Sequence, residues 1–442
     1  MVVSNSRGEN AVKEAALVDI SEEPRHSGRD RPWDAFRYRD YRVLWGALFT
    51  GSLVVWFRIL GTAQWLLDET GSAVLVGLIG VVQLVVQIPA LLWGGTLADR
   101  VDRKRLMAAA NATTCGAMLA LGLLNAADLL TPMIVYAGIA LTAASQMLAS
   151  PARSALVPVV IPERKLLLAA STDTASQNVA AIAGPLLFAA IALSAGLTTA
   201  FFVAAAIALP AAVLPMLIRA HGVAAGHAQD ASDDTPPPAR PSTVAQAWEG
   251  LRYVARHPIL PGLFLLDTGI TVASFYREIL PVLALGLFAG GASATGMLGA
   301  ANSAGAIAGS FVALLLVGYR AKGMLVLYAS LAYGIILFGF GTASTLWMGA
   351  LMIALLGAAD AVTVAVRQTT VMLTTPDHMR GRAFSLMIVA AQTANNVGTI
   401  WVGMWAAAIG AGNTMVLGGV ISIVATLVIW RVWRPIREYR SP

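Results

Sequence analysis

The fold of this chain is decided by the stretch Gly94-Gly95-Thr96-Leu97-Ala98-Asp99-Arg100-Val101-Asp102-Arg103-Lys104-Arg105. It lies between two long apolar stretches and places four cations and two acids within a few residues. A short charged loop between apolar segments is typical of a connection between two membrane-spanning helices. Further membrane spans are therefore expected on either side of it.

The composition of the chain indicates an integral membrane protein. Hydrophobic residues make up 57% and charged residues 12% of the chain, and the mean hydropathy is +0.71. The apolar segments are long enough for a helix rising 1.5 Å per residue to cross a hydrocarbon core of about 30 Å. We expect twelve helices, at 43–67, 74–98, 106–127, 131–149, 167–193, 198–218, 259–286, 293–318, 323–343, 346–366, 383–408 and 413–433.

The distribution of Lys and Arg predicts the orientation. Cations occur in the N-terminal tail, after predicted helices 2, 4, 6, 8 and 10, and in the C-terminal tail, whereas only Arg58 and Arg277 fall elsewhere. Short cytoplasmic loops collect such cations, so we expect both termini in the cytoplasm and the chain in the bacterial inner (plasma) membrane. The net charge of +6 then reflects topology, and no nucleic-acid partner is expected.

A change in composition divides the chain in two. The segment 219–258 contains the run Pro236-Pro237-Pro238 and several acids, and such a composition does not form a packed core. Its last part, 244–257, has the spacing of an amphipathic helix, which we expect on the cytoplasmic membrane face. The predicted organisation is a tail at 1–42, a six-helix bundle at 43–218, a linker at 219–258, a second bundle at 259–433 and a tail at 434–442.

The two predicted bundles repeat each other in sequence. Trp56-Phe57-Arg58-Ile59-Leu60 corresponds to Phe275-Tyr276-Arg277-Glu278-Ile279, which Leu280 follows, and Gly77, Gly80 and Gln83 correspond to Gly296, Gly299 and Asn302, all at one offset of 219 residues. Two parallel six-helix repeats imply a pseudo-two-fold axis along the membrane normal and a cavity between the halves.

The charged loop resembles the signature between helices 2 and 3 of the major facilitator superfamily, carried here by Gly95, Leu97, Asp99, Arg100, Arg103 and Lys104. Asp102 departs from the general pattern, which prefers Gly, and is similar to what siderophore exporters carry. Further fragments resemble the branch that includes the enterobactin exporter and macrolide efflux proteins: Thr114-Cys115-Gly116, Ala273-Ser274, Leu280-Pro281 and the segment from Thr375-Pro376 to Arg382. The resemblance implies an all-α membrane protein with twelve transmembrane helices in two pseudo-symmetric six-helix bundles.

The same signature predicts a gating contact. Gly95 allows two helices to approach closely, and Asp99 stands one turn later, where it can meet the positive end of another helix. The resemblance implies that this helix is helix 11, near Gly381 and Arg382, with Arg100 and Arg103 completing the signature. The alternative is a loop made basic only by the topology rule, which accounts for the cations but not for Gly95 with Asp99.

Two intramembrane arginines dominate the expected substrate site. Arg58 and Arg277 occupy matching positions in helices 1 and 7, beside Trp56 and Tyr276. Guanidinium groups next to aromatic rings suit a planar, aromatic, anionic molecule, and we expect both to face the central cavity. Two alternatives stay open: Arg58 forms an ion pair with Glu278 or Asp267 that closes one face, or it extends outward to the membrane surface.

Intramembrane acids are the candidates for proton coupling. Asp267, near mid-depth in helix 7, is the first choice and Glu278 the second, whereas Asp173 and Asp360 are expected in the cytoplasmic third, where they could merely bond loops. Uncharged polar residues expected to line the site are Gln83, Gln87, Asn302, Gln392 and Asn395. For each of these, a hydrogen bond between helices is an equal alternative.

These observations predict a secondary transporter. We expect export of a small amphipathic compound, siderophore-like or drug-like as in multidrug efflux, by alternating access and proton antiport. The alternatives are an importer of an organic anion and a solute-sensing receptor. The chain lacks a His-Glu-x-x-His motif and an intramembrane histidine that could act as a base, so an intramembrane hydrolase is not expected. Cys115 is its one cysteine. We expect no cofactor and no metal, a monomer, and substrate, protons and lipids as partners.

Overall fold

The computed structural model describes residues 32–162, 165–219, 243–316 and 318–440, and every regular element within these ranges is a helix. Only the backbone is described at 32–33, 91–100, 243–247, 377–378 and 380–382. The membrane helices are helix 1 Arg39–Thr70, helix 2 Ala73–Arg100, helix 3 Arg103–Ala126, helix 4 Pro132–Val160, helices 5 and 6 within Leu166–Val213, helix 7 Leu260–Ser274 with Leu280–Phe288, helix 8 Ala292–Leu315, helix 9 Lys322–Gly341, helix 10 Leu346–Thr374, helix 11 Asp377–Ile409 and helix 12 Ala411–Val432.

The described helices account for twelve passes. Ten segments are long and apolar enough to cross a membrane, and one of them, Leu166–Leu217, has 52 residues and covers two passes because the chain turns at Gly196. Helix 11, with 33 residues, supplies the remaining pass. The predicted all-α membrane fold is confirmed.

Two of the turns between membrane helices consist of a single glycine. Gly196 joins helices 5 and 6 with φ 80° and ψ 172°, and Gly410 joins helices 11 and 12 with φ 87° and ψ 157°. A side chain at this combination of positive φ and extended ψ is strongly disfavoured, so glycine is required at both turns. The two halves therefore use the same turn at corresponding places.

Helix 7 is broken, contrary to the continuous span predicted at 259–286. Its first part ends at Ser274, a 3-10 turn follows at Arg277–Ile279, and the second part begins at Leu280. Pro281 provides the physical reason, because its ring lacks an N–H and clashes with the carbonyl four residues earlier, that of Arg277. Hydropathy did not reveal the break, since the apolar character continues through it.

Helices 4 and 10 are longer than predicted. They end at Val160 and Thr374 rather than at residues 149 and 366. The prediction placed the helix ends before Arg153 and Arg367, because cations usually mark loops. Both arginines instead lie inside helices rather than in the loops where they were expected.

The two ends of the bundle differ in how the halves meet. We call the signature face the one that carries the turn between Arg100 and Arg103, and the opposite face the one that carries Gly71, Gly196 and Gly410. Near the opposite face, Gly77 and Gly80 of helix 2 pack on helix 11, and Gly296 and Gly299 of helix 8 pack on helix 5. A Cβ at Gly299 would lie 3.1 Å from Cβ of Pro185. The repeated glycines thus form two symmetric close contacts between the halves.

The linker contains the helix Thr243–Arg256, close to the predicted 244–257. It packs against helices 7 and 11, and the Tyr253 hydroxyl donates to the carbonyl of Thr374 at 3.4 Å. Trp248 and Leu251 are exposed on its outer side. The predicted domain boundaries at 42/43, 218/219, 258/259 and 433/434 stay predictions.

Candidate functional site

A large cavity, which we call the central cavity, lies between the two halves. It has a volume of about 1410 Å³ and its wall includes helices 1, 3, 4 and 5 of the first half and helices 7 and 8 of the second. Its polar lining residues are Ser52, Asn111, Gln146, Ser150, Arg153, Gln177, Asn178, Arg277, Asn302 and Ser303. Since Gln146 to Arg153 form the last part of helix 4, the cavity extends toward the signature face.

Arg277 is the cation that the break in helix 7 brings into this cavity. Its side chain is exposed, and its Cζ lies 5.9 Å from the centroid of the Trp56 ring. This distance allows a cation–π interaction, here between residues of different halves. Glu278 and Asp360 are its electrostatic neighbours.

Arg153 is a second cation in the same wall. Five amide side chains and Trp56 accompany it, and the described lining contains no Asp or Glu. A cavity with two guanidinium groups and no acid in a low-dielectric environment attracts anions.

Arg58 does not share this cavity, which differs from the prediction that both arginines face it. It lines a smaller pocket of about 280 Å³ inside the first half, together with Asn111 and Gln146. Its electrostatic partner is Glu278 of the other half. Glu278 is also the acid named in one of the predicted alternatives, and the pairing of Arg58 with Glu278 stays a prediction.

A second cavity, which we call the side pocket, lies inside the second half between helices 7, 9, 10 and 11. It has a volume of about 950 Å³, and Arg277 lines it as well as the central cavity. Its other polar lining residues are Asp267, Thr271, Ser274, Tyr276, Ser330, Tyr333, Asp360, Thr363, Arg367 and Asn395.

The acids of the side pocket are in different states. Asp267 forms an ion pair with Arg367, whose side chain is 7% exposed. Asp360 is exposed to the pocket, and no described side chain donates a hydrogen bond to its carboxylate. Asp360 is near the middle of helix 10, and its depth in the membrane stays a prediction.

Other predicted substrate residues are divided between the cavities. Trp56 and Asn302 line the central cavity, whereas Tyr276 and Asn395 line the side pocket. The Asn302 amide donates to the Tyr276 hydroxyl at 2.5 Å, so a buried hydrogen bond joins the two walls.

Three glutamines of the first half bond across to the second half. Gln83 donates to Glu278 at 2.9 Å, the Gln64 side chain accepts from Thr295 at 3.0 Å, and that of Gln87 accepts from Asn396 at 3.0 Å. Gln83 is 2% exposed and lines neither cavity. Gln87 and Gln392 line a separate pocket of about 500 Å³ between helices 2, 4 and 11. For Gln83 and Gln87, the geometry therefore matches the interhelical alternative.

Asp173 lies on helix 5 outside the central cavity and the side pocket. The Gln177 amide, one turn further along, donates to it at 2.7 Å.

The predicted gating residues are only partly described. Gly95, Asp99 and Arg100 belong to helix 2, and Gly381 and Arg382 to helix 11, but their side chains lie outside the described residues. Arg103 begins helix 3. Asp102 caps this helix by accepting a hydrogen bond from the backbone N–H of Lys104 at 2.8 Å.

Several residues of the two cavities were missed by sequence reasoning. Arg153 and Arg367 lie beyond the ends predicted for helices 4 and 10, so both were expected in loops. Ser330 of helix 9 carried no signal in one sequence, because small hydroxyl residues are common in membrane helices, and Tyr333 carried none because a single tyrosine in an apolar segment is not distinctive.

Comparison with known proteins identifies the family. A model of the Major Facilitator Superfamily matches residues 44–387. Curated relatives include the enterobactin exporter EntS of Citrobacter koseri, 25% identical over 384 residues that cover 84% of this chain and 83% of that protein. The corresponding exporter of Salmonella typhi is 25% identical over 362 residues, covering 79% and 82%.

Solved structures share the fold. The nucleoside transporter NupG superposes with a TM-score of 0.73 at 11% identity, covering 89% of this chain and 99% of that chain. A bacterial homolog of the human lysosomal transporter Spinster, in an inward-facing and unoccupied conformation, gives a TM-score of 0.65 at 14% identity, covering 92% and 99%. The chain therefore belongs to the Major Facilitator Superfamily, as a multi-pass inner-membrane transporter of small-molecule substrates.

Proposed function

We propose that this transporter exports a small amphipathic anion with an aromatic part, siderophore-like or drug-like, through the central cavity. One observation carries the proposal: the cavity wall contains Arg153 and Arg277, an aromatic ring beside Arg277, and no acid in its described lining. A guanidinium group can bind a carboxylate or phenolate in a bidentate manner, while Trp56 offers a face for a planar ring.

The relatives support export as the direction. Proteins about 25% identical to this chain over most of its length are named as exporters of enterobactin. We extend only the direction and the chemical class to this chain, because the shared residues are too few to transfer a substrate.

We propose that transport proceeds by alternating access. The glutamine bonds and the glycine contacts hold the halves together near the opposite face, whereas the central cavity extends toward the signature face. If the signature face is cytoplasmic, as the cations predict, this arrangement receives substrate from the cytoplasm. Opening the opposite face then requires that the bonds from Gln64, Gln83 and Gln87 break.

The gating role of the signature stays part of this proposal. Asp99 with Arg100 and Arg103, and Gly95 beside them, would form the contact with Gly381 and Arg382 when the cavity closes on the signature face. Helix 2 ends at Arg100 and helix 11 begins at Asp377, so the backbone elements of such a contact are both present on that face.

We propose proton antiport with Asp360 as the exchange site, in preference to Asp267, Glu278 and Asp173. Protonating Asp267 would leave the buried charge of Arg367 without its partner, which is costly. Glu278 is bonded to Gln83 and lies near Arg58. Asp360 is exposed to the side pocket, so a proton or a substrate donor can occupy the same oxygens in turn. A single chain contains both halves, and we expect a monomer in contact with lipid.

The test is transport into inverted membrane vesicles that contain the full-length protein. We expect uphill uptake of acidic aromatic compounds when the vesicle lumen is acidic, and loss of uptake when the pH gradient is collapsed. Asp360→Asn should retain downhill movement and lose the response to pH. A matched control is Asp128→Asn, an acid in an opposite-face turn with φ 54° that Asn also tolerates.

Two outcomes would contradict the proposal. Uptake of the same anions by right-side-out vesicles, driven by an acidic exterior, would favour the importer of an organic anion. An unchanged pH response in Asp360→Asn would assign proton coupling to another acid.

Orientation is tested separately by labelling. In a Cys115→Ala background, Arg103→Cys should react with a membrane-impermeant maleimide only in inverted vesicles, and Asp128→Cys only in right-side-out vesicles. The reverse pattern would overturn the proposed topology.

A further inference from the structure

The side pocket contains polar groups that the fold leaves without partners. Ser330 is 1% exposed and its hydroxyl has no hydrogen-bond partner among the described residues. Arg367 is 6% exposed, and its Nε–H is also unpartnered there, although the guanidinium pairs with Asp267. Both residues line the pocket together with the accessible carboxylate of Asp360. Buried polar groups without partners are rare, so they point to a ligand.

The unpartnered groups define what such a ligand must offer. The Asp360 carboxylate needs a hydrogen-bond donor, and Arg367 Nε–H needs an acceptor. The Ser330 hydroxyl can pair with a donor or with an acceptor. A hydroxyl group supplies a donor and an acceptor at once. Tyr333 does not take this role, because its hydroxyl already bonds with Ser274 at 3.2 Å.

The balance of charges in the side pocket favours an uncharged part of a ligand. Its described lining contains two acids, Asp267 and Asp360, and two arginines, Arg277 and Arg367. These formal charges cancel, in contrast to the central cavity with two arginines and no acid. Phe275, Tyr276 and Tyr333 add aromatic surface, so the walls suit a ring.

Arg277 connects the two cavities, because it lines both. We infer that the side pocket is a second compartment of the substrate site, which takes an uncharged hydroxylated ring of a molecule whose anionic group is held at Arg277. This inference rests on the proposed function, since it assumes the anion site in the central cavity. The hydroxyl donates to Asp360 and accepts from Arg367 Nε–H or Ser330.

The test is equilibrium binding to the full-length protein in lipid nanodiscs, with benzoate and protocatechuate as probes. Protocatechuate is benzoate with two adjacent ring hydroxyls opposite the carboxylate. We expect protocatechuate to bind about tenfold more tightly than benzoate, the preference that one hydrogen bond to a charged group provides. Asp360→Asn and Ser330→Ala should each lower this preference severalfold. Neither substitution should weaken the binding of benzoate. Asp360→Asn should strengthen it, because this substitution removes a negative charge near Arg277.

Two controls separate binding from folding. Ser330→Ala removes an unpartnered buried hydroxyl, so the unfolding temperature should not fall. Ser422→Ala changes a buried serine that donates to the Gly418 carbonyl outside both cavities, and it should keep the preference for protocatechuate.

The possible failures are distinguishable. Equal binding of the two probes by the wild-type protein, or a preference that survives both Asp360→Asn and Ser330→Ala, overturns this inference and leaves the anion site standing. Binding of neither probe overturns the proposed anion site and this inference together.

Discussion

Helices 1 and 7 carry corresponding sequences but present their arginines differently. Helix 1 is continuous, and Arg58 stays inside the first half near Glu278. Helix 7 breaks two residues before Arg277, whose side chain enters the central cavity. At the offset of 219 residues, Pro281 of helix 7 corresponds to Thr62 of helix 1. One proline therefore accounts for how a repeated arginine is packed inside one half and exposed to the central cavity in the other.

The largest expected effect concerns ligand affinity. Arg277→Gln should weaken the binding of an acidic aromatic probe about a hundredfold, because a charge-assisted interaction of about 2–3 kcal/mol is lost. Arg58→Gln should change affinity by less than about threefold, since Arg58 lies outside the central cavity. Calorimetric titration of both variants measures the difference, and equal losses would refute the contrast between the two helices.

The next effect concerns stability. Arg58→Gln and Glu278→Gln should each lower the free energy of unfolding by about 2 kcal/mol, because each removes one of two opposite charges that attract each other in the protein interior. The double variant should lose less than the sum of the single variants. Denaturation in detergent measures the four proteins, and additive losses would show that the two charges are independent.

A smaller effect is expected at the break itself. Pro281→Ala restores an N–H that can bond to the carbonyl of Arg277, so helix 7 becomes more regular and Arg277 turns partly away from the cavity. Affinity should fall about fivefold. Pro261→Ala at the start of helix 7 is the matched control and should leave affinity unchanged. If Pro281→Ala retains wild-type affinity, the proline is not what positions Arg277.

The smallest effect concerns the beginnings of the two helices. His257 Nδ1 accepts from the backbone N–H groups of Ile259 and Leu260 at 3.2 and 3.3 Å, which caps helix 7. Tyr38, its counterpart before helix 1, has a phenol in place of the imidazole. Burial lowers the pKa of His257 below 6.5, and a hydrogen bond with the Thr374 backbone acts in the other direction.

The folded state therefore favours the neutral ring of His257. Its contribution to stability is fully present above pH 6.5, the ordinary value, and is lost as the pH falls through that value toward the lower folded pKa. We expect this to lower the unfolding temperature by about 1 °C, a small value because the ring is partly solvated. The His257→Gln protein should lack this component, and identical acid dependence in both proteins would exclude it.

Sequence reasoning predicted the fold because three patterns extend along the whole chain and agree: the hydropathy, the placement of Lys and Arg, and the repeat of the two halves. It predicted twelve spans and two halves, and it placed the linker helix within a residue of its observed start at Thr243. Helix ends were less predictable where a cation lies inside a helix, as at Arg153 and Arg367. When a long helix packs against its neighbours, an arginine can be buried against an acid on another helix. No local sequence pattern indicates this contact.

The site was less predictable than the fold. The sequence singled out Arg277 and Trp56 but not their meeting across the halves, since contacts between distant segments leave no trace in one sequence. Gln83 was expected to line the cavity, yet it bonds to Glu278. A glutamine in a membrane helix satisfies its amide wherever a partner lies, so its residue type alone does not distinguish a substrate contact from a helix contact.

The single-residue turns at Gly196 and Gly410 determine which motions are available. A connection of one residue cannot lengthen. If the opposite face opens, helix 6 must therefore move together with helix 5, and helix 12 together with helix 11. One helix cannot bend away alone, because the single glycine cannot span a longer distance between the two helix ends. We therefore expect the two helices joined by each turn to tilt together. Inserting a few flexible residues at either turn should let these helices move independently while leaving both cavities intact.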